Sequence, residues 1–319
     1  MIRLILSRLG QMLLMMAAVS LILFAVFDTE KYRKRIAVAE LGGLAVSALS
    51  QSDYDAWLDK KGLNAPLHTR YVNWIAGLTR GDFGYSIEKD TAVGPLVGAH
   101  LARTGLLALF TLALVIPLAL LLGVLAGMRE ASRTDRTIST IAIVTTSIPE
   151  IAIAIFLTAL FALGLGWLPA KSAMHGGFEM SKLVLPVLTL VIFDFGYITR
   201  ITRASMAQVM GAEYIRTAVL KGLPQSRIIV RHALRNALIA PFTIIVLQIN
   251  WLISGLIVIE TFFQYGGIGK LLVEAARFGD VQVIQAITLL AVAAAVLSQL
   301  ISDIGYAWLN PRMRSGAPA

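Results

Sequence analysis

Two acidic residues, Glu150 and Asp194, lie well inside long apolar runs of the sequence. An ionised side chain in hydrocarbon is costly, so such an acid by default marks a pathway for ions or polar solutes. Counted at ~1.5 Å per residue along straight helices, both lie about 16–18 Å deep. We therefore expect them to face a watery channel and favour a cationic group. The alternative is a structural role, either paired with another subunit or protonated against Gln248 or Asn250.

The sequence gives little support for catalysis or metal binding. The chain has no cysteine, which excludes disulfides, thiolate catalysis and Cys-ligated zinc. Ser147 and Ser254 lack an evident histidine or lysine partner within an apolar run. Metal-ligand spacing is not found among the four histidines, which are His68, His100, His175 and His232. We expect no catalytic residue, no metal and no cofactor on this chain.

Composition indicates an integral membrane protein. Of 319 residues, 57% are hydrophobic and 15% are charged, and the mean hydropathy is +0.75, well above the apolar content of a soluble domain. The formal net charge is +9, but the basic residues are spread between apolar runs and are not gathered with stacking aromatics. Nucleic acid is therefore not an expected partner.

The elements that must position the two acids are membrane-spanning helices, which need about 20 apolar residues each. Gly123 and Gly127, four apart in the second run, permit close helix packing. A cleaved signal peptide is the alternative for the first run, but that run exceeds the usual apolar length of about 7–15 residues, which favours an uncleaved anchor. The sequence predicts an all-α polytopic protein with about six spans, over Leu9–Phe27, Thr104–Met128, Ile138–Leu165, Leu183–Thr199, Leu238–Phe263 and Val281–Leu309.

Loop charges predict that both termini are cytoplasmic. With that orientation, 14 basic residues lie in cytoplasmic segments and 4 in the two short outer loops, as expected from the excess of Lys and Arg on the cytoplasmic side. The cluster Lys31–Arg35 falls on the outer side and argues the other way. It belongs to the long segment 28–100, and long loops contribute little to orientation.

The outer segment 28–100 is expected to contain two helices. Ser52 can cap the first and Gly62 can end it, while the second starts near Pro66. Tyr54, Trp57 and Leu58 share a face of the first helix, and Tyr71 and Trp74 recur at helical spacing in the second, which suits the membrane–water interface. Packing on the spans and docking of a partner are both open roles.

A basic segment, Arg200–Arg235, separates the fourth and fifth spans, and Glu213–Gly222 lies in its middle. We expect a short stiff helix closed by a left-handed glycine at Gly222. Its apolar surface, formed by Ala218, Val219 and Leu220, would fit a groove on a partner protein. Acidic residues on the rim of that groove could pair with Arg216 and Lys221. The alternative is a solvated basic helix that serves only membrane topology.

Together with Arg203–Met206 and Arg231–Leu238, this segment resembles the cytoplasmic loop of ABC-importer permeases of the dipeptide, oligopeptide and nickel group. The family consensus there is Glu-Ala-Ala, three residues, then Gly; this chain has Arg216-Thr-Ala218 and then Gly222. The resemblance covers roughly residues 66–314 and is lost between Asp28 and Gln51. It implies that a separate ATPase is contacted by Glu213, Arg216, Thr217, Ala218, Lys221 and Gly222.

The resemblance implies the type I importer permease fold, and we expect a single transmembrane domain over residues 1–319, with an outer segment 28–100 and a coupling loop 200–237. It also implies a bacterial inner-membrane complex with a homologous second permease, two ATPase subunits that hold ATP and Mg, and an extracytoplasmic solute-binding protein. Peptides are the expected substrate, with nickel chelates, peptide-like antibiotics or sugars as alternatives. The competing functions are a stand-alone channel or secondary transporter and an intramembrane enzyme. In the pathway we place Glu150, Asp194, Gln248 and Asn250.

Overall fold

The computed structural model describes residues 2–174 and 178–309, without the side chains of residues 2–6, 39, 249–255 and 306–309. Among the described residues, the regular structure is helical except for one short antiparallel hairpin, in which Tyr85 pairs with Ala92 and Ser86 with Thr91. The elements are α1 (Ile2–Phe27), α2 (Glu30–Leu41), α3 (Gly43–Ala48), α4 (Gln51–Lys60), α5 (Leu67–Thr79), β1 (Tyr85–Ser86), β2 (Thr91–Ala92), α6 (Val93–Gly127), α7 (Arg133–Ser147), α8 (Glu150–Leu157, continued by the π-helical Thr158–Gly164), α9 (Met180–Met210), α10 (Glu213–Leu220), α11 (Gln225–Arg227, continued by the π-helical Ile228–Ala233), α12 (Leu234–Ala237), α13 (Ile239–Phe262), α14 (Ile268–Phe278) and α15 (Val281–Leu309).

Four helices in the described part of the chain are long and apolar enough to cross a membrane, and the number rises to six if each of two bent helix pairs is one span. The four lie at Ser7–Phe27, Val93–Gly127, Met180–Met210 and Val281–Gly305. The bent pairs are Arg133–Ser147 with Glu150–Gly164 and Gln225–Ala237 with Ile239–Gln248. The expected all-α polytopic fold is confirmed.

The third expected span is not a straight helix. α7 and α8 meet at an angle of 98°, and Ile148 and Pro149 between them are extended, with ψ of 127° and 139°. The cause is local, because the residue before a proline is pushed out of the helical region. Counting residues along a continuous Ile138–Leu165 helix therefore gives a wrong depth for Glu150, which is the first residue of α8.

Contacts divide the chain into two compact units. The first unit contains residues 104–266 and the described residues from 297 onward. Its core is formed by apolar side chains of α6, α8, α9 and α13, including the buried Leu107, Ala154, Leu190, Ile198 and Leu256. α9 is the central element, because it packs against α7, α8, α12 and α13.

The two glycines of the second span serve helix packing, as expected. A Cβ on Gly123 would lie 2.5 Å from the Cβ of Thr202, and one on Gly127 would lie 2.6 Å from the carbonyl oxygen of Arg203. Both distances are below any real carbon contact. α6 thus lies against α9 with almost no side chain between the backbones.

The second unit contains residues 2–103 and 267–296. One of its cores joins the start of α6 to α14 and α15 through Val93, Val97, Leu271 and Ala286. A smaller one holds α2 to α4, and its buried members are Ala37, Tyr54 and Leu58.

Two features of the second unit differ from expectation or were absent from it. The cap of α4 is Ser50, whose hydroxyl accepts a hydrogen bond from the Asp53 amide at 3.2 Å, so the assignment of Ser52 was wrong by two residues. α2 was not predicted; Thr29 caps it by accepting from the Tyr32 amide at 3.3 Å. The glycine end at Gly62 is confirmed, with φ of +69°.

Candidate functional site

The short helix expected in the basic segment is α10. It starts at Glu213, after Gly211 ends α9, and it is followed by Lys221 and Gly222. The structure places the six predicted residues on α10 and the turn that follows it, namely Glu213, Arg216, Thr217, Ala218, Lys221 and Gly222.

The carboxyl end of α10 is closed by a glycine turn. Gly222 has φ of +73°, and its amide donates to the Val219 carbonyl at 2.9 Å. The next amide, of Leu223, donates to the Ala218 carbonyl at 3.3 Å. This pair of bonds is the Schellman motif, and Leu223 packs against the apolar cluster that contains Ala218. The expected left-handed glycine end is confirmed.

α10 is fixed to its neighbours on one face. Ile215 and Ala218, three residues apart, are 2% and 7% exposed and pack in a cluster with Met206 of α9 and Ala237 of α12. Ala218 therefore fixes α10 from within, and the expectation that it lies on the exposed surface was wrong. In a helix of eight residues the sequence does not decide between adjacent faces, and packing makes that choice.

Two side-chain hydrogen bonds add to this packing. The Ser205 hydroxyl of α9 donates to the Ala237 carbonyl at 2.7 Å, which ties α9 to α12. The Asn236 amide donates to the Tyr214 hydroxyl at 2.9 Å, which ties α12 to α10. A force applied to α10 would therefore be passed to the π-helical Ile228–Ala233, which α10 packs against, and to α9 and α12.

The carboxyl end of α10 carries two exposed apolar side chains with charged residues around them. Val219 is 57% exposed and Leu220 is 80% exposed. Around them, Glu213, Arg216 and Lys221 are also exposed. The Thr217 hydroxyl donates to the Glu213 carbonyl one turn earlier, at 3.0 Å. Large apolar side chains that are exposed side by side in this way are a feature of contact surfaces.

An ion pair that sequence reasoning missed joins α9, the helix that precedes α10, to α7. Arg203 of α9 donates two hydrogen bonds to the Asp135 carboxylate of α7, at 2.9 Å from Nε and 2.7 Å from Nη2. Asp135 is 3% exposed and also accepts from the Ala131 amide at 2.9 Å. The spacing of Ser132 and Asp135 is that of a capping box, and this was the available local signal for an ordered acid.

The two predicted acids, Glu150 and Asp194, lie on helices that pack against each other. Asp194 is 1% exposed and its Oδ1 accepts a hydrogen bond from the Gln248 amide nitrogen at 2.6 Å. Glu150 begins α8, which packs against α9, the helix that carries Asp194. Asn250 was placed in the same group, but its side chain lies outside the described residues.

One oxygen of each acid is left over. Asp194 Oδ2 and Glu150 Oε1 are buried and have no hydrogen-bond partner within the described part of the chain. A buried polar atom normally has a partner, because leaving it without one costs about 1–3 kcal/mol. The contact of Asp194 with Gln248 agrees with the structural alternative, whereas the two free oxygens retain capacity to accept from a donor.

Another buried acid was not predicted as such. Glu260, near the end of α13, is 0% exposed, and the Thr104 hydroxyl donates to its Oε1 at 2.6 Å. The signal was its position at the end of an apolar run. In the described residues, no group of three or more His, Asp or Glu side chains is placed to hold a metal ion.

Comparison with known proteins agrees with these features. Residues 119–315 match the family described as the binding-protein-dependent transport system inner membrane component. The oligopeptide transport system permease protein AppB of Bacillus subtilis is 35% identical, with 83% of this chain and 86% of the relative covered.

Two further relatives have similar coverage. The oligopeptide transport system permease protein OppB of Haemophilus influenzae is 36% identical, with 80% of this chain and 83% of the relative covered. The glutathione transport system permease protein GsiC of Escherichia coli K12 is 33% identical, with 79% and 81% covered. The helical membrane fold, the family match and these relatives agree, and the chain therefore belongs to the inner membrane components of binding-protein-dependent transport systems, as an ABC-importer permease subunit.

Proposed function

We propose that this chain forms one half of the translocation pathway of an ATP-driven importer for peptides. Its relatives are named for oligopeptide, peptide and glutathione transport, which supports peptides over nickel chelates, peptide-like antibiotics or sugars. The chain itself catalyses no reaction and carries no cofactor. A homologous permease supplies the other half, and an extracytoplasmic binding protein delivers the solute.

Two separate ATPase subunits bind ATP and Mg, and α10 is the contact through which one of them acts on this chain. The observation that supports this role most directly is the pairing of an exposed tip, Val219 and Leu220, with a buried base, Ile215 and Ala218. The exposed residues are free to enter an apolar groove, with Arg216 and Lys221 at its rim. The buried residues connect the helix to α9 and α12.

Motion then follows from rigidity. Because the Schellman turn at Gly222 fixes the end of α10, the helix cannot slide independently of its cluster. ATP-driven closure of the ATPases moves α10, and α10 moves α9 and α12 as packed bodies. Alternation of access in the membrane results from such a rigid-body shift.

Glu150 and Asp194 are the proposed recognition points for a cationic group on the solute, such as the amino terminus of a peptide. Their unpartnered oxygens support this role, since a charged donor placed there would complete both acids. Gln248 holds Asp194 in position through the 2.6 Å hydrogen bond, and Asn250 is proposed to lie along the same pathway. The excess of basic residues in the loops supports cytoplasmic termini in the inner membrane.

Copurification and transport together test the proposal. The chain, isolated with its associated proteins from a gentle detergent extract, should bring down an ATPase, a second permease and a peptide-binding protein. Vesicles containing that complex should take up labelled peptide only when ATP is supplied on the side of the ATPase. Uptake by the isolated chain without nucleotide would instead support a stand-alone channel or secondary transporter.

A further inference from the structure

The second unit contains a cavity of about 260 Å³ at the carboxyl end of α1. Its walls come from α1, α2, α5 and the start of α15. Charged and polar side chains line one side of it, namely Asp28, Arg33, Lys61, Arg70, Asn73 and Gln282.

Two arginines of this cavity share one carboxylate. Asp28 accepts hydrogen bonds from both terminal nitrogens of Arg70 and from Arg33, the latter at 3.2 and 3.3 Å. Lys61 is paired with Glu40 at 2.5 Å, and the buried carboxylate of Asp280 acts through its charge on Tyr32, which also lines the cavity. Two guanidinium groups that share one carboxylate retain donors for a further anion.

One hydrogen-bond donor of the cavity is also unsatisfied. The Nε of Arg33 is buried and has no acceptor among the described residues. Asp28 stays ionised at neutral pH, because the hydrogen bond from Arg70 lowers the pKa of Asp28 below its ordinary 3.8, against the opposing effect of burial. Burial raises the pKa of Tyr32 to about 12, so its hydroxyl keeps its proton at neutral pH. The cavity is thus rich in donors and short of acceptors.

A second cavity of about 540 Å³ lies along the same three helices α1, α5 and α15. Its walls are almost entirely apolar, with Leu13 and Met16 from α1, Ile75 from α5, and Leu289 and Ala293 from α15. We call it the apolar groove.

Polar cavity and apolar groove follow each other in the same order on two helices. Along the chain at α1, Asp28 and Met16 are twelve residues apart, which is about 18 Å of helix. Along α15, Gln282 and Leu289 are seven residues apart, which is about 10 Å. Each apolar position lies farther into a span than its polar counterpart. The sites are therefore stacked along the direction in which a lipid lies.

Aromatic rings mark the level between the two sites. Phe24 of α1 contacts Tyr71 and Trp74 of α5, each with ring centroids 5.6 Å apart. Tyr and Trp are concentrated where hydrocarbon meets the headgroup region. The polar cavity is thus placed at headgroup depth and the apolar groove at acyl-chain depth.

We propose that the two sites together bind one anionic phospholipid, with its phosphate against Arg33 and Arg70 and an acyl chain in the apolar groove. A phosphodiester carries one negative charge and several acceptor oxygens, which suits two guanidinium groups that share a single carboxylate. Its oxygens supply the acceptor that Arg33 lacks. A soluble phosphate would satisfy the cavity but would leave the apolar groove exposed to water or unfilled.

The test measures lipid that stays bound to the full chain and its associated subunits. The protein is placed in vesicles of equal parts phosphatidylglycerol and phosphatidylcholine, extracted into mild detergent and weighed by native mass spectrometry. The wild-type chain should retain phosphatidylglycerol in preference to phosphatidylcholine. Arg33→Gln should lower that retention by about fivefold, whereas Lys31→Gln, an equal change of charge at an exposed position of the same helix, should not.

A second variant tests the acyl chain and does not alter the charges. Ala293→Phe fills the apolar groove and should also reduce retained phosphatidylglycerol, and excess soluble glycerol phosphate should not displace the lipid from the wild-type chain. Equal retention of the two lipids by the wild-type chain, or equal retention by Arg33→Gln and Lys31→Gln, would overturn the proposal. So would full retention by Ala293→Phe, or displacement by glycerol phosphate, since either would indicate a site for a soluble anion.

Discussion

Arg203 and Asp135, 68 residues apart in the sequence, form a two-bonded ion pair that joins α9 to α7. The Asp135 side chain is 5% exposed and that of Arg203 is 28% exposed. The pair lies on the helix that continues into the loop carrying α10, so its strength affects how firmly α10 is anchored.

Removing the guanidinium should destabilise the protein measurably. Arg203→Ala leaves a buried carboxylate without its partner, and we expect a loss of about 2–3 kcal/mol after allowance for the partial exposure of Arg203. Thermal unfolding in detergent measures this loss. Arg200→Ala, an exposed arginine on the same helix, is the control and should change little. Equal destabilisation by both variants would show that the ion pair is unimportant.

The glycine at the end of α10 is expected to be required for its backbone alone. A Cβ at Gly222 would meet nothing within 4 Å, so the cost of Gly222→Ala comes from its φ of +73° and should be about 1 kcal/mol. Gly222→Asn should cost less, because asparagine tolerates this conformation. A bulky β-branched residue, as in Gly222→Val, should impair ATP-dependent uptake and complex assembly.

Gly211 provides the matched control for that series. It has φ of −79°, which any residue adopts, so Gly211→Ala should leave stability and uptake unchanged. If Gly222→Val supported normal uptake with an assembled complex, the role assigned to α10 would be untenable.

Substitution at the tip of α10 should separate coupling from folding. Leu220→Asp changes a side chain that is 80% exposed, so the chain should fold normally but lose its ATPase by at least about tenfold, as is typical for a central contact residue. Quantitative copurification and ATP-driven uptake measure this. Val230→Asp, at an apolar position that is 67% exposed in the same loop, is the control. Normal ATPase content in Leu220→Asp would exclude this tip as the contact.

The acid pair should determine selectivity for charge. Asp194→Asn combined with Glu150→Gln keeps the shape of both side chains but removes two negative charges. Uptake of peptides with a free amino terminus should fall, while uptake of the same peptides with an acetylated amino terminus should not. The ratio of the two uptake rates is the measurement, and an unchanged ratio would refute the pathway assignment.

Stability of the second unit should depend on pH through Asp28. Its pKa is lowered by the Arg70 hydrogen bond, so the ion pair contributes fully above the ordinary pKa of 3.8. That contribution is lost as pH falls through the lower value of the folded state. Unfolding followed from neutral to acidic pH should show a decline that is absent in Asp28→Asn. Asp59→Asn, at an exposed position, should keep the wild-type profile.

Sequence reasoning reached the elements whose signals are local. Each expected span corresponds to a helix or a bent helix pair, because about 20 consecutive apolar residues leave few other structures. The glycine end of α10 was also predictable, since Gly222 after a short amphipathic run has a specific backbone role.

What the sequence did not reveal depends on distant partners. Pro149 signals a distortion, but its 98° bend depends on what α7 and α8 pack against. Arg203 and Asp135 are 68 residues apart, with all of α8 between them, and nothing local pairs them. Ala218 is buried because it packs in one cluster with Met206 and Ala237. The spacing of residues within an eight-residue helix does not specify this packing.

The glycines at 123 and 127 also determine where this half of the transporter can flex. At these two positions the backbone of α6 meets α9 without intervening side chains, so the two helices are expected to move together at this crossing. Bending of this unit is then expected where the hydrogen bonding of a helix is interrupted. The elbow at Ile148 and Pro149, beside Glu150, is such a joint, so opening and closing of the unit would reorient this acid itself.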